Sequence, residues 1–226
     1  MKTFSLLLVL SLPVCLGCGQ KPASTSQKEE PISQGKSLGE RARSATDADL
    51  AQEKANAQRK KTIVFNKTEY LHRWSQKGQH EFTPSGQEDL SKWTDMMTIN
   101  VYEDVVDGDG LALLANKVLE NYKSHGGIVL KTDSVPRTVE KPAEHLIAVI
   151  LGQPTVIEVV QARFKLIDKK GVAIIHSHRV YGSSAGPEMS DWLKKNGPSM
   201  EEELMKWESV NTAFIDSLKD KDGQAR

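Results

Sequence analysis

The sequence has few cysteines, no excess of either charge and only one long apolar run. Cys15 and Cys18 are its two cysteines, so residues 19–226 form no internal disulfide and depend on a packed core for stability. Lys and Arg together number 30, which equals the 30 Asp and Glu. Nucleic-acid-binding domains carry a strongly positive face, so we expect no nucleic-acid partner. Beyond residue 17 no apolar run is long enough to span a bilayer.

The long apolar run lies in residues 1–17 and has the pattern of an export signal peptide. A single lysine precedes the apolar core, and small residues follow it. The segment from Leu16 to Gly19, which contains Cys18, resembles the lipobox of bacterial lipoproteins, although Cys15 stands where that family usually has leucine. The resemblance implies cleavage before Cys18 and acylation of its sulfur and its amine.

This resemblance also implies a location. A protein acylated at Cys18 is anchored in the bacterial cell envelope and contacts the membrane only through its lipid. Gly19 at the next position implies sorting to the outer membrane, facing the periplasm. Ordinary secretory cleavage after Gly19 is the alternative, because Gly17 and Gly19 give the small-x-small spacing, and it yields a secreted or periplasmic soluble protein.

Composition divides the rest of the chain into a tether and a domain. Residues 18–61 are predicted to be a lipidated N-terminus followed by a disordered or partly helical tether, because they contain few large apolar side chains. Apolar and β-branched residues become frequent from Thr62 onward. Residues 62–226 are therefore predicted to fold as a single α+β domain.

The domain contains one clear amphipathic helix between predicted strands. Apolar residues recur at helical spacing in Leu111, Leu114, Ala115, Val118, Leu119 and Tyr122. Strands are predicted at residues 63–75, 80–83, 94–102, 128–132, 144–151, 155–167 and 172–181. Two further helices are predicted, a short one over residues 187–195 and another that a capping box opens at Ser199.

This order of elements predicts the fold class. The connections between strands are too short for parallel crossovers, so we expect a mainly antiparallel sheet. The α+β domain should carry helices on both faces, with the central helix on one and the terminal helices on the other. Over Thr62–Leu218 the element order resembles that of the PsbP-like domains. That resemblance implies a non-catalytic binding or assembly module.

His176 and His178 form the first candidate site. Side chains alternate along a strand, so both imidazoles lie on one face, where they could bind zinc or copper with a third ligand. His145 on a nearby strand or Glu158 on the hairpin partner could supply that ligand. The alternative is two polar residues at the point where the strand leaves its covering helix for solvent.

Ser184 lies in a G-x-S-x-G motif between a predicted strand and a predicted helix. That is the context of a nucleophile elbow, but the α/β-hydrolase order requires a later histidine, and no histidine follows His178. We therefore interpret residues 182–186 as a flexible loop.

Acidic residues precede the central helix at Asp104, Asp107 and Asp109. A calcium-binding EF-hand loop needs oxygen ligands at fixed positions and a closing glutamate, and no frame through these residues supplies them. Capping of the helix N-terminus is the interpretation we favour.

Four aromatic residues, Tyr70, Trp74, Trp93 and Tyr102, cluster in the N-terminal half of the domain. Tyr70 and Trp74 are predicted to share a strand face with His72. Such a set could form the floor of a ligand groove, although tryptophan on a sheet more often belongs to the core.

The sequence thus predicts a lipid-anchored envelope protein without catalytic activity. Its expected partners are an envelope protein or a small ligand, and no cofactor is expected. The alternative is a metal-binding protein or an enzyme that uses His176 and His178.

Overall fold

A computed structural model describes residues 61–219. The predicted signal peptide at residues 1–17, the acylation site at Cys18 and all but the last residue of the tether lie outside this range. The elements are β1 (Thr62–Phe65), β2 (Thr68–Gln76), β3 (Gln79–Pro84), β4 (Asp95–Tyr102), α1 (Gly108–Ser124), β5 (Ile128–Val135), β6 (Glu144–Gln153), β7 (Val156–Ile167), β8 (Lys170–Tyr181), α2 (Ala185–Lys206) and α3 (Thr212–Leu218). Within residues 61–219 no helix combines the length and the hydropathy needed to cross a membrane.

All eight strands belong to one sheet, in the order β1-β2-β3-β4-β8-β7-β6-β5. Each neighbouring pair is antiparallel. Tight turns join most consecutive strands, which permits only antiparallel pairing. The predicted α+β class with a mainly antiparallel sheet is therefore confirmed.

Two-residue turns with positive φ at both positions close three of the hairpins. Right-handed strand twist favours this geometry, and Asn, Asp and Gly tolerate it best. The turns are Asn66-Lys67, Lys77-Gly78 and Asp168-Lys169. The third confirms the predicted hairpin between β7 and β8. The turn at Asn66-Lys67 was not predicted. The single strand predicted over residues 63–75 is therefore two strands of a hairpin.

Helix α1 has the boundaries and the buried stripe that the sequence predicts. Asp107 is its N-cap, and the side chain accepts a hydrogen bond of 2.8 Å from the backbone N–H of Gly110. Gly126, with φ of 79°, follows the C-cap His125. The stripe residues Leu111, Leu114, Ala115, Val118 and Tyr122 are buried, and α1 contacts β5, β6 and β7.

Helix α2 continues through the break predicted between residues 195 and 199, and the helix predicted from Ser199 to Leu218 is instead divided between the end of α2 and α3. Pro198 lies inside it, and Ser199 donates from its hydroxyl to the carbonyl of Asn196 at 2.9 Å instead of capping a new helix. A proline removes the hydrogen bond to the carbonyl four residues earlier. That residue is Lys194, which is exposed, so water can satisfy its carbonyl. The predicted break at Ser199 was wrong for this reason.

Side chains alternate between two faces of the sheet, which we name after one residue on each. The His176 face carries the main core, in which residues of β1–β4 and β6–β8 pack with residues of α2, α3 and the segment between them. The opposite face is the Glu81 face. Strand β7 is buried on both: Val159, Gln161 and Arg163 on the His176 face, and Val160, Ala162 and Phe164 on the Glu81 face.

Candidate functional site

His176 and His178 lie on the same strand face, as predicted, beside Asp95 of β4. Asp95 is paired with His178 in the sheet, and its Oδ1 lies 2.9 Å from His178 Nδ1 and 3.9 Å from His176 Nε2. The ring of Trp192, from helix α2, stacks on His178 at 4.1 Å between centroids. Helix α2 therefore covers both histidines, and the expectation that they lie at a solvent-exposed strand end was wrong.

The structure does not assemble a metal site at these histidines. Neither proposed third ligand reaches them, because both lie on the Glu81 face: His145 contacts Ser134 at 2.8 Å, and Glu158 forms an ion pair with Arg179. Within residues 61–219, no group of three or more His, Cys, Asp or Glu side chains is arranged to hold a metal ion. The geometry instead fits a buried polar contact between β4 and β8, on which Trp192 of α2 stacks.

Burial controls the protonation of this pair. His176 is 0% exposed, and among the described residues neither of its ring nitrogens has a hydrogen-bond partner. Burial lowers the pKa of His176 to about 4, against the opposing charge of Asp95. Burial also works to raise the pKa of Asp95, but the hydrogen bond and charge of His178 outweigh it and hold that pKa below its usual value.

Ser184 and the acidic residues before α1 have structural roles. Ser184 is the N-cap of α2, and its hydroxyl donates to the carboxylate of Glu188. Its side chain therefore contacts an acid and not a histidine base. Asp107 caps α1, which confirms the interpretation of this acidic segment as a helix start.

A β-bulge places two of the four aromatic residues, Tyr70 and Trp74, on opposite faces of the sheet. The register of β2 against β3 shifts at Arg73, so His72 faces Phe82 while Trp74 faces Glu81. Tyr70 and His72 therefore lie on the His176 face and Trp74 on the Glu81 face. The prediction that Trp74 shares a face with Tyr70 was wrong, because one extra residue reverses the alternation of a strand.

The Glu81 face carries a group of neighbouring polar and ionisable side chains, three of which have raised pKa values. Antiparallel pairing of Glu81 with Thr98, of Asn100 with Ala173 and of Glu158 with Arg179 places them on one face. Helix α1 adds a tyrosine whose pKa is raised by burial and by the charge of Glu158. We call this group the polar cluster: Glu81, Asn100, Tyr102, Tyr122, Glu158 and Arg179.

Two acceptor atoms in the polar cluster are buried without a partner. Glu81 is 2% exposed, and its Oε1 accepts a hydrogen bond of 2.8 Å from Gln79 Nε2. Glu81 Oε2 and Asn100 Oδ1 have no hydrogen-bond partner among the described residues. Asn100, which is 5% exposed, also bonds to Tyr102. Because a buried polar atom without a partner costs about 1–3 kcal/mol, these two oxygens need an explanation.

Burial and opposed charges set the protonation states of the cluster. Burial raises the pKa of Glu81, while the Gln79 hydrogen bond and the Arg179 charge oppose that rise and the Glu158 charge adds to it. Arg179 bonds to Glu158 through Nε at 2.7 Å, and its guanidinium carbon lies 3.9 Å from the centre of the Trp93 ring. Burial likewise raises the pKa of Tyr102 to about 12. Perturbed titration of several neighbouring groups is typical of functional sites.

Sequence reasoning missed the carboxylate at the centre of this site. Glu81 lies in a short strand and looks like a surface residue, and only the fold shows that it is buried. The available signal was the aromatic set, because three of its members do lie on or beside the Glu81 face: Trp74 opposite Glu81, Trp93 under Arg179 and Tyr102 bonded to Asn100. That part of the groove hypothesis points to the same surface.

A second unpredicted arrangement lies at the other side of the same hairpin. Ser75 Oγ is 2.6 Å from His72 Nε2 and 2.6 Å from His80 Nδ1. Ser75 and His80 also line a cavity of about 400 Å³ with residues of α3 and β4. A hydroxyl has one proton, so it donates to one imidazole and accepts from the other.

Comparison with known proteins assigns the chain to a family. A protein-family model matches residues 57–208, more than half of the chain, and the chain therefore belongs to that family. A comparison with curated proteins found no match.

Three solved structures show a distant likeness to this chain. A mutant of the protein Mog1 is 11% identical, with a TM-score of 0.42 over 69% of this chain and 98% of that chain. The Saccharomyces cerevisiae Ran-binding protein Mog1p is 12% identical, with a TM-score of 0.40 over 68% of this chain and 97% of that chain. Human STARD10 is 11% identical, with a TM-score of 0.27 over 74% and 84%. These scores are too low to support an argument about function.

Proposed function

We propose that this protein is a non-catalytic, lipid-anchored envelope protein that binds a small polar ligand at the polar cluster. The observation that carries the proposal is the pair of buried, unpartnered acceptors, Glu81 Oε2 and Asn100 Oδ1. A stable domain normally pairs such atoms, so a bound molecule that donates hydrogen bonds is a natural partner. The element order that resembles PsbP-like binding domains supports the same class of function.

The burial of Glu81 and Asn100 supports a site that is shielded from solvent. We infer that α1 covers the part of the Glu81 face formed by β5, β6 and β7, because α1 contacts these strands and its buried Tyr122 lies near enough to Glu158 for that charge to raise the tyrosine pKa. Helix α2 covers the opposite face, where Trp192 stacks on His178. A ligand at the polar cluster would then lie in a poorly solvated space, where hydrogen bonds and charges act strongly.

Cys18 is the proposed anchor and has its own test. Several acyl chains give stable attachment, because each buried methylene contributes about 0.8 kcal/mol. Cys18→Ser should move the protein from the detergent phase to the aqueous phase in phase partition, with its thermal unfolding unchanged. Unaltered partition of Cys18→Ser would contradict the lipoprotein proposal and favour the alternative of a secreted or periplasmic soluble protein.

The binding proposal is tested with a chemically diverse panel of small molecules. Compounds that raise the melting temperature of the full chain in detergent should lose that effect in Asn100→Leu, which removes one of the two unpartnered acceptors. Glu69→Gln is the control, since Glu69 is an exposed residue of β2. If the compounds raise the melting temperature of Asn100→Leu as much as that of the wild type, they bind elsewhere, and the proposal is contradicted.

A further inference from the structure

We propose that the polar cluster binds its ligand through a primary ammonium group held by Glu81 and Asn100. This inference rests on the proposed binding function and specifies the chemistry of the ligand. Three observations support it: the two unpaired oxygen atoms, the charges of the polar cluster and the side chains that surround it.

The unpaired atoms require a ligand that donates. Glu81 Oε2 and Asn100 Oδ1 are both oxygen acceptors. Gln79 pairs with Asn100 and Glu81 pairs with Thr98 across the same two strands, so the two acceptors are diagonal neighbours on one face. A primary ammonium carries three N–H donors, enough to pair with both acceptors. A carboxylate or a phosphate has no donor to offer when ionised.

The charges of the cluster favour a cation. Glu81 and Glu158 contribute two negative charges when ionised, and Arg179 contributes one positive charge, which pairs with Glu158 and also lowers the pKa of Glu81. Asp104 lies close enough to influence Tyr102 and adds further negative potential. A second positive charge, beside Glu81, would add to that of Arg179 in offsetting the burial of the carboxylate, which raises the pKa of Glu81.

The surroundings favour an organic ammonium over a metal ion. Calcium takes six to eight oxygen ligands, and no group of three or more carboxylate, histidine or cysteine side chains within residues 61–219 is arranged for a metal. Trp74 faces Glu81 across the β2–β3 pair and is half-buried. Its ring offers apolar and cation-binding surface to the carbon body of an amine.

In the experiment, the full chain in detergent is titrated with methylammonium chloride. Tetramethylammonium chloride, sodium acetate and glycerol are the comparison probes, and all titrations are run at matched ionic strength. Binding is followed by the melting temperature and by the NMR shifts of the Asn100 side-chain amide and the Trp74 indole. We expect methylammonium to shift both signals and tetramethylammonium, which lacks N–H donors, to bind roughly tenfold more weakly or worse.

Two substitutions complete the test. Glu81→Gln and Asn100→Leu should each weaken methylammonium binding by roughly tenfold or more, because each removes one acceptor. Glu69→Gln should leave it unchanged. Equal binding of tetramethylammonium, or methylammonium binding that survives Glu81→Gln, would overturn the inference. Glycerol binding that depends on Asn100 would overturn the ammonium inference alone, whereas the absence of any response at Asn100 and Trp74 to all four probes would count against both proposals.

Discussion

Arg163 Nη1 donates a hydrogen bond of 2.7 Å to the backbone carbonyl of Trp207, the C-cap residue of helix α2. The same nitrogen bonds to the carbonyl of Leu204 at 3.0 Å. A side chain from β7 thus satisfies carbonyls at the C-terminus of α2, where the helix dipole also favours a positive charge. Glu144 and Glu208 bind the remaining guanidinium nitrogens, at 2.6 Å and 2.9 Å.

Arg163→Met should therefore be strongly destabilising. Arg163 is 2% exposed, and its loss leaves two helix carbonyls and a partly buried carboxylate without their donor. Breaking a buried ion pair from one side costs about 3–5 kcal/mol. Urea unfolding of Arg163→Met and of the exposed control Arg137→Met measures the difference. A cost below about 1 kcal/mol for Arg163→Met would show that these hydrogen bonds do not fix the end of α2.

Leu114→Ala tests the packing of helix α1. Leu114 is 6% exposed, and deletion of a buried leucine side chain costs about 2–5 kcal/mol. Leu113 is the matched control on the same helix: it is 70% exposed, so Leu113→Ala should change stability by no more than about 0.5 kcal/mol. Similar unfolding free energies for the two variants would mean that the buried stripe of α1 is wrongly placed.

Helix α1 was predictable from the sequence, whereas the continuity of helix α2 and one hairpin turn were not. The 3.6-residue stripe, an N-cap aspartate and Gly126 all agree on α1, and local agreement of this kind makes an element readable from sequence. The break assigned to Ser199 failed because α2 tolerates Pro198, which leaves unbonded only the carbonyl of the exposed Lys194. The missed turn at Asn66-Lys67 lacks the glycine that usually marks this turn type.

The candidate site was less predictable, for a physical reason. The strand containing Tyr70 and Trp74 alternates in sequence, but the bulge at Arg73 moves Trp74 to the other face, and nothing local to the sequence signals a bulge there. The burial of Glu81 depends on the pairing of β3 with β2 and β4, which the sequence does not specify. His176 and His178 were found from local alternation alone, yet their burial under Trp192 required the position of α2.

The hydrogen bonds that link His72, Ser75 and His80 allow a prediction about which ring nitrogen of each histidine carries the proton. Because the contacts involve His72 Nε2 and His80 Nδ1, one shared hydroxyl proton requires both neutral rings to carry their proton on the same type of nitrogen. The proton is on Nε2 of both rings or on Nδ1 of both. Nitrogen-15 NMR of the imidazoles at pH 8 measures this directly, and Ser75→Ala should remove the constraint. A mixed pair of tautomers in the wild-type protein would contradict the geometry.

The buried His176 should make the protein sensitive to mild acid. The folded-state pKa of about 4 lies below the ordinary value of 6.5, so between these values the unfolded chain binds a proton that the folded chain does not. Stability is then fully present above pH 6.5 and falls as the pH drops towards 4. A shift of this size corresponds to about 3 kcal/mol. The lowered pKa of Asp95 acts at lower pH, where its carboxylate begins to protonate.

His176→Leu tests this origin of the acid sensitivity. Leucine has a similar volume and does not titrate, so the unfolding free energy of His176→Leu should vary much less between pH 6.5 and 4 than that of the wild type. A slope should remain, because burial also lowers the pKa of His145 while the raised pKa of Glu81 acts in the opposite direction, and the double variant with His145→Leu should lose less stability in acid than His176→Leu. Urea titrations at four pH values in this window measure the slopes. A profile for His176→Leu as steep as that of the wild type would show that groups other than this buried imidazole cause the loss of stability in acid.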